Sequence, residues 1–581
     1  MSNKSRSIGL VWGLSAQIAR MAWGATQGLG IATVCVGAAT TLMACADEND
    51  PKTWVKRLDD PAQRSAAVKR LAQFFEDTMT KTNKNREAPE VIELLGVIVE
   101  PMTKVYTAGN LDDKTRRELI KSLADMREPR AAPAMAKAFN DYEPGKNEED
   151  VKFASQWTSG LASQGKMTDS AVIDALWTCF AKFQPSQSKS KSFNLIADLH
   201  DAVLDVKHPS YGPKATEKLS APVDVNNRDA VLDQLQFWQK TSVQLIKELK
   251  YAPAVKPLVK VLLTPTKGDL RPTVNAALMV IPADAEKTLL GALQGTDAEL
   301  GKLASEIPEK LGPSILADAI SWISRPAGRD ALLTALDKAD NDTNRTVITQ
   351  CLTRFPPDAR IKDAFMGSYR KLSAGSKLKT SDEPFARPVL VQVSSAFYDP
   401  ALTDWVLREV SGSKGDEGSS MQAKGLEAGL KLMDKPRVRS VGEMVTKYWT
   451  AQEKELFTGA ANITEKCGNT ASCYVAVFDE PVASTPAGRM KAIKSARMAA
   501  TYGRDDTKKA LLDKVDKIKD AQSRLALVEA IDYLSPKGDT AAADVLDKIV
   551  ASDVASGNKD LISGDDAVVK VANRLRARAL P

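Results

Sequence analysis

The chemistry open to this chain is bounded by two histidines and six cysteines in 581 residues. Both histidines lie in "HDAVLDVKH", as His200 and His208, with Asp201 and Asp205 beside them. Eight residues of α-helix would turn one about 80° from the other. A zinc-type site needs at least one further ligand and a converging geometry, and Pro209 ends the helix at once. The pair therefore reads as surface or capping residues, and no metal is assigned. A Ser-His-Asp hydrolase would need one of the same histidines and a sharp G-x-S-x-G turn, a pentapeptide that does not occur. "GTDAELGKLA", from Gly295, lacks the glycine spacing of a phosphate loop and has Leu303 where Ser or Thr should hold the metal, so it is expected to start a helix. The run Glu148-Glu149-Asp150 reads as a solvated helix face. No catalytic residue and no cofactor is assigned, and the chain is not expected to be an enzyme.

The cysteines carry more information, and "TTLMACADEND" from Thr40 is the first place to look. Residues 21–44 contain no charged side chain, and the segment before them carries Lys4, Arg6 and Arg20 with no acid, the pattern of an export signal. The uncharged run is long enough to span a bilayer, so an uncleaved anchor stands beside a cleaved peptide, although Gly24, Gly28, Gly30 and Gly37 weaken a permanent helix. Leu42-Met43-Ala44-Cys45 resembles the lipobox of bacterial lipoproteins, which implies acylation of the Cys45 thiol and cleavage before it, with residues 1–44 as signal peptide. Met43 departs from that pattern, where a small or β-branched residue is usual. Ala44-Cys45-Ala46 also fits an ordinary secretory cleavage site. All three readings imply export. Ala46, rather than Asp, follows the cysteine; by resemblance to Gram-negative sorting this favours the outer over the inner membrane, with the body in the periplasm or at the cell surface.

Cleavage before Cys45 would leave 537 of the 581 residues, long for one compact core. The lost segment carries three basic residues and no acid, so the net charge falls from +6 to +3. That balance, with the signs mixed along the chain, gives no electrostatic case for nucleic acid.

The elements that must position anything in this chain are helical, because the apolar residues recur with a helical period and almost nowhere alternate as in a strand. The fold class is all-α. In "WVKRLDDPAQRSAAVKRLAQFF", Trp54, Val55 and Leu58 form one apolar face and Ala67, Val68, Leu71 and Phe75 another, separated by Asp59-Asp60-Pro61, which stops one helix and starts the next. Helix pairs of this kind begin again at Thr115, Ser242, Thr273 and Ser523. One pair cannot bury both faces, whereas stacked pairs share a continuous core, which is the logic of a solenoid. Asp59-Asp60-Pro61-x-x-Arg64-x-x-Ala67-Val68-x-x-Leu71 resembles the HEAT repeats, including the bacterial group similar to phycobilin lyase repeats. The resemblance covers most of 50–580, weakly between 143 and 231. It implies that Arg64 reaches back to the turn acids and that Ala67 lets neighbouring helices approach closely. Deoxyhypusine hydroxylases share that fold but hold two irons with His-Glu pairs; here Asp201 and Pro209 follow the histidines.

"QPSQSKSKS" from Gln184, "SAGSKLKTSDEPFARP" from Ser373 and "SGSKGDEGSS" from Ser411 read as polar inter-helix loops. The expected organisation is an N-terminal array over 45–372, a polar linker or loop over 373–388 and a C-terminal array over 389–581. In an oxidising compartment Cys467 and Cys473 in "EKCGNTASCYVAVF" are expected to be bridged. On one unbroken helix they would stand about 9 Å apart along the axis, so Gly468-Asn469 must end a helix, with Thr470 or Ser472 capping the next. Cys179 and Cys351 sit in apolar runs and are expected to be buried thiols. By the HEAT resemblance, a protein partner would lie along the concave face made by the second helix of each pair, and helical position selects Arg117, Lys121, Gln350, Lys494 and Arg497. The expected function is a lipid-anchored scaffold in the bacterial cell envelope that binds a protein partner. An envelope enzyme with a carboxylate-based site and a structural subunit of an outer-membrane assembly are the alternatives.

Overall fold

The computed structural model describes residues 47–188, 194–379 and 384–581. Cys45 and the export segment lie outside the described residues. Among the described residues the chain is all-α: antiparallel helices follow one another from Pro51–Arg57 to Lys559–Ala579, and the only β pairing is two isolated bridges, Glu143 with Lys146 and Lys377 with Phe385. Helices alternate between two layers, each packing on the next-but-one as well as on its pair mate, as a stacked array requires. No described helix is long and apolar enough to cross a membrane.

Local chemistry explains where the helices begin. Asp112, Asp169, Asn341, Asp358, Asp520 and Asp539 each sit before a helix and accept hydrogen bonds from its first free N–H groups. An arginine inside the first turn often completes the start. Arg64 Nε donates to Leu58 O at 2.8 Å, Arg345 Nη2 to Ala339 O at 2.6 Å and Arg524 Nε to Ile518 O at 3.3 Å, each six residues back. Arg64 thus reaches back across the turn as the resemblance implies, but to the carbonyls of Leu58 and Asp59 rather than to the acid side chains. Those carbonyls end the preceding short helix and need a donor. Ala67 is fully buried.

Two departures from the sequence expectation concern the polar stretches. Most of "SGSKGDEGSS" is helical, since the break between Leu402–Gly412 and Gly415–Leu432 spans only Ser413 and Lys414. Glu417 is buried there and accepts from Gly375 N at 2.9 Å, which anchors a helix whose composition alone reads as a loop. The stretch 373–388 is an excursion rather than a boundary. Its two feet are tied together by Ala386 N donating to Ser376 O and Leu378 N to Pro384 O, both at 2.9 Å. The helix Ala386–Val393 begins inside it, with Ala386, Leu390 and Val391 fully buried in the same apolar core that starts at Leu58. That core takes in nearly every buried apolar residue up to Ala461, with Met490 and Ala577 from later helices, and a second core holds most of the rest from Ile463 on, joined by Tyr398. The expected subdivision at 373–388 therefore does not coincide with a break in the core.

The array also curls back on itself. The last helix, Lys559–Ala579, packs against Arg271–Met279 and Gly312–Ile323 from the middle of the chain. Arg325, salt-bridged to Glu286 at 2.9 Å, donates through Nη2 to Pro581 O at 2.9 Å across 256 residues of sequence. Trp322 is the centre of this closure, with the cations of Arg354, Lys570 and Arg574 at 4.1, 5.0 and 5.7 Å from its ring.

Candidate functional site

The cysteine pair lies where the turn chemistry requires. Helix Ala451–Cys467 ends at Gly468, whose φ of +55° suits glycine, and Ala471–Val475 begins three residues on, with Thr470 at its N-cap position but making no side-chain cap hydrogen bond. The reversal brings the two Cα atoms to 5.4 Å and the pair is bridged. Cys179 and Cys351 are buried free thiols. Removing the bridge with Cys467→Ala and Cys473→Ala is expected to lower stability by about 2 kcal/mol, the chain-entropy value for so short a loop. Urea denaturation of the double variant against oxidised wild type measures this, and non-reducing peptide mapping should show the 467–473 link.

The histidines form no cluster. His200 Nε2 pairs with Gln244 Oε1 at 2.8 Å and Nδ1 with Asp201 at 2.9 Å, while His208 lies beyond the helix Asn194–Val206 and its Nδ1 pairs with Ser210 Oγ at 2.8 Å. No group of three metal-ligating side chains occurs among the described residues.

The five residues selected by helical position do not make one surface. Arg117 and Lys121 are exposed on Asp113–Met126 and pair with Glu149 at 3.2 Å and Asp125 at 3.3 Å. Lys121 lines an open groove of about 930 Å³ with Lys69, Glu76, Lys84, Arg86 and Glu118. Gln350 is half-buried on Asp342–Leu352. Lys494 is fully buried, and this corrects its selection as a surface contact. Its ammonium group donates to Met433 O and, at 3.3 Å, to Lys431 O, closing the end of helix Gly415–Leu432. Burial holds its pKa well below the usual lysine range. Arg497 is also buried, donating to Ser395 O at 2.8 Å and to Glu529 at 3.2 Å. Neither residue is a free surface group.

Arg497 does line a pocket of about 180 Å³ at the closure, walled by Arg354, Tyr398, Glu529, Asp532, Tyr533, Arg574 and Arg578, with Phe355, Pro356 and Pro357 as its apolar side. Tyr398 and Tyr533 stack at 4.0 Å, and Arg497 lies 4.9 Å over the Tyr398 ring. Asp532 accepts from Arg574 at 2.7 Å and from Arg578. Burial pushes Arg578 below its usual value, although a guanidinium remains charged under any ordinary condition. The pocket as a whole escapes sequence reasoning because its wall joins segments as far apart as Arg354 and Arg578. The one local signal is "RLRARAL", in which Arg574 and Arg578 share a helix face four residues apart while Arg576 pairs outward with Asp544 and Asp547.

No family model and no curated protein matches the chain. Among solved structures it is similar to the crystal structure of SYS-1 at 2.6 Å resolution, with 12% identity over 92% of this chain and 99% of that one and a TM-score of 0.23. A likeness at that score carries no argument about function.

Proposed function

We propose that the protein is an exported, lipid-anchored helical-repeat scaffold of the bacterial cell envelope, held by acylated Cys45 and binding a protein partner. The observation that carries this reading is the open groove between Arg64–Lys81 and Asp113–Met126, whose wall mixes the cations of Lys69, Lys84, Arg86 and Lys121 with the carboxylates of Glu76, Glu118 and Asp125. Mixed charge of this kind favours a protein surface of complementary pattern over a uniformly charged polymer. The Cys467–Cys473 bridge supports the oxidising compartment. Acyl chains on one cysteine, each contributing about 0.8 kcal/mol per buried CH₂, hold such a chain at a bilayer with no spanning helix.

Two measurements test the reading together. Intact mass of the membrane fraction should give a chain starting at lipid-modified Cys45. A photo-crosslinking residue at Lys121 should yield one discrete adduct in intact cells, and the same residue at Arg439, whose side chain is 91% exposed on another helix, should not. A chain retaining Met1, or equal adducts at the two positions, defeats it.

A further inference from the structure

The pocket at the closure holds more positive charge and more hydrogen-bond donors than closing the array requires. Four guanidinium groups line it, from Arg354, Arg497, Arg574 and Arg578, against the two carboxylates of Glu529 and Asp532. Asp318, which is not part of the wall, takes up Arg354 at 2.6 Å. Asp532 alone serves both Arg574 and Arg578, so the four guanidinium groups share three paired carboxylates, those of Glu529, Asp532 and Asp318.

The donors tell the same story. Each guanidinium is a fork of N–H groups. Arg574 makes one hydrogen bond, to Asp532, while Arg497 and Arg578 make two each, and the Nε of all three is buried with no acceptor. The Tyr398 hydroxyl, on a residue only 7% exposed, is likewise without a partner. Buried polar groups in folded proteins are almost always paired, and a set of unpaired ones around a cavity calls for an explanation. Ion-pair closure does not supply one, since it would be served as well by one carboxylate per arginine.

We propose that this pocket binds a small multivalent oxyanion of the phosphate class. The cavity, about 180 Å³, is below the range of about 300 Å³ and upward that suits drug-sized ligands, but it accommodates a compact tetrahedral ion with attendant water. Arginine forks match the edges of such an ion, and a small shift of the Tyr398 side chain, whose hydroxyl is closed off and unpartnered, would add a neutral donor. Because Arg354 and Tyr398 belong to the middle of the chain and Arg574 and Arg578 to its last helix, the bound ion bridges the two sides of the closure. The ion therefore locks the last helix against the array. The same chemistry is offered by free phosphate and by the phosphate ester of a lipid headgroup or metabolite.

Titration of the full-length protein in detergent with sodium phosphate, against sodium chloride of equal ionic strength, tests this by calorimetry, melting temperature and hydrogen exchange. Phosphate should bind once per chain, raise the melting temperature saturably and slow exchange in Lys559–Ala579. Tyr398→Phe should melt as wild type without phosphate yet bind it about tenfold more weakly, and Arg574→Gln should bind it more weakly still. Tyr398→Phe keeps the test decisive where Arg574→Gln fails to fold. Glycerol 3-phosphate separates the sources: tighter binding than inorganic phosphate assigns an ester, equal or weaker binding the free ion. Identical melting and exchange in phosphate and chloride, or undiminished binding by Tyr398→Phe and Arg574→Gln, overturns the proposal.

Discussion

Replacing Arg524 by Met is expected to cost about 3–5 kcal/mol, concentrated in the last three helices, because it strips the counter-charge from two buried carboxylates. Arg524, on Ala521–Tyr533, is salt-bridged to Asp553 of Thr540–Ser556 and lies 3.7 Å from Asp565 of Lys559–Ala579. The three side chains are 3%, 8% and 9% exposed, so water cannot take over the lost interaction. Asp565 has no hydrogen-bond partner for either oxygen. Burial, and after it the Asp553 carboxylate, raise its pKa above the usual value. A raised carboxylate pKa favours the neutral form in the fold. Its stabilising contribution is complete below the ordinary value of about 3.9 and is lost as pH rises through the raised one. Asp565→Asn should therefore stabilise these helices at neutral pH, the opposite sign from Arg524→Met. The Arg524→Met loss should itself shrink in acid, as the stranded Asp565 carboxylate takes up a proton. Hydrogen exchange resolved by helix, at neutral and acid pH, measures both. A loss under about 1 kcal/mol, unchanged by pH, would assign the pair the small worth of a surface ion pair and refute this account.

Phe365→Ala should cost a similar amount, about 3–5 kcal/mol, and it tests whether the array is continuous past 373–388. Phe365 is 1% exposed on Ala359–Lys371, and its ring meets Phe397 and Trp405 edge-on at 5.1 and 5.9 Å from beyond the excursion. Tyr369 adds a second tie across it, donating to Glu409 at 2.6 Å beneath the guanidinium of Arg387. Truncation leaves a cavity shared by helices on both sides. Protection should fall in 359–371 and in 394–412 together. If only the segment before the excursion loses protection, the stretch separates independent units and the continuous-core description fails.

The fold class, the helix pairs and the turn between Cys467 and Cys473 were legible in the sequence because they rest on short-range signals. Asp and Asn supply free N–H groups with acceptors, glycine accepts a positive φ, and an apolar residue every third or fourth position makes a stripe that only another helix can cover. Even Arg64 announces itself this way, although the tertiary structure chose carbonyls over carboxylates as its partners. The fates of Lys494 and Arg497 were not legible. Choosing outward residues by helical position assumes a helix wet on one side, and Pro486–Tyr502 is buried from Met490 through Ala500 at every position except Lys491 and Ile493. Its alanines let neighbours press in from several directions, so its cations become internal caps and ion-pair partners. Nor can periodicity foresee that the last helix returns to the middle of the array. That contact brings Arg574 and Arg578 to Arg354 and Tyr398 across nearly two hundred residues or more, and such pairings depend on the accumulated rotation of every repeat between them. Local propensity determines what each helix is; the sum of packing angles along the stack decides which of its side chains meet.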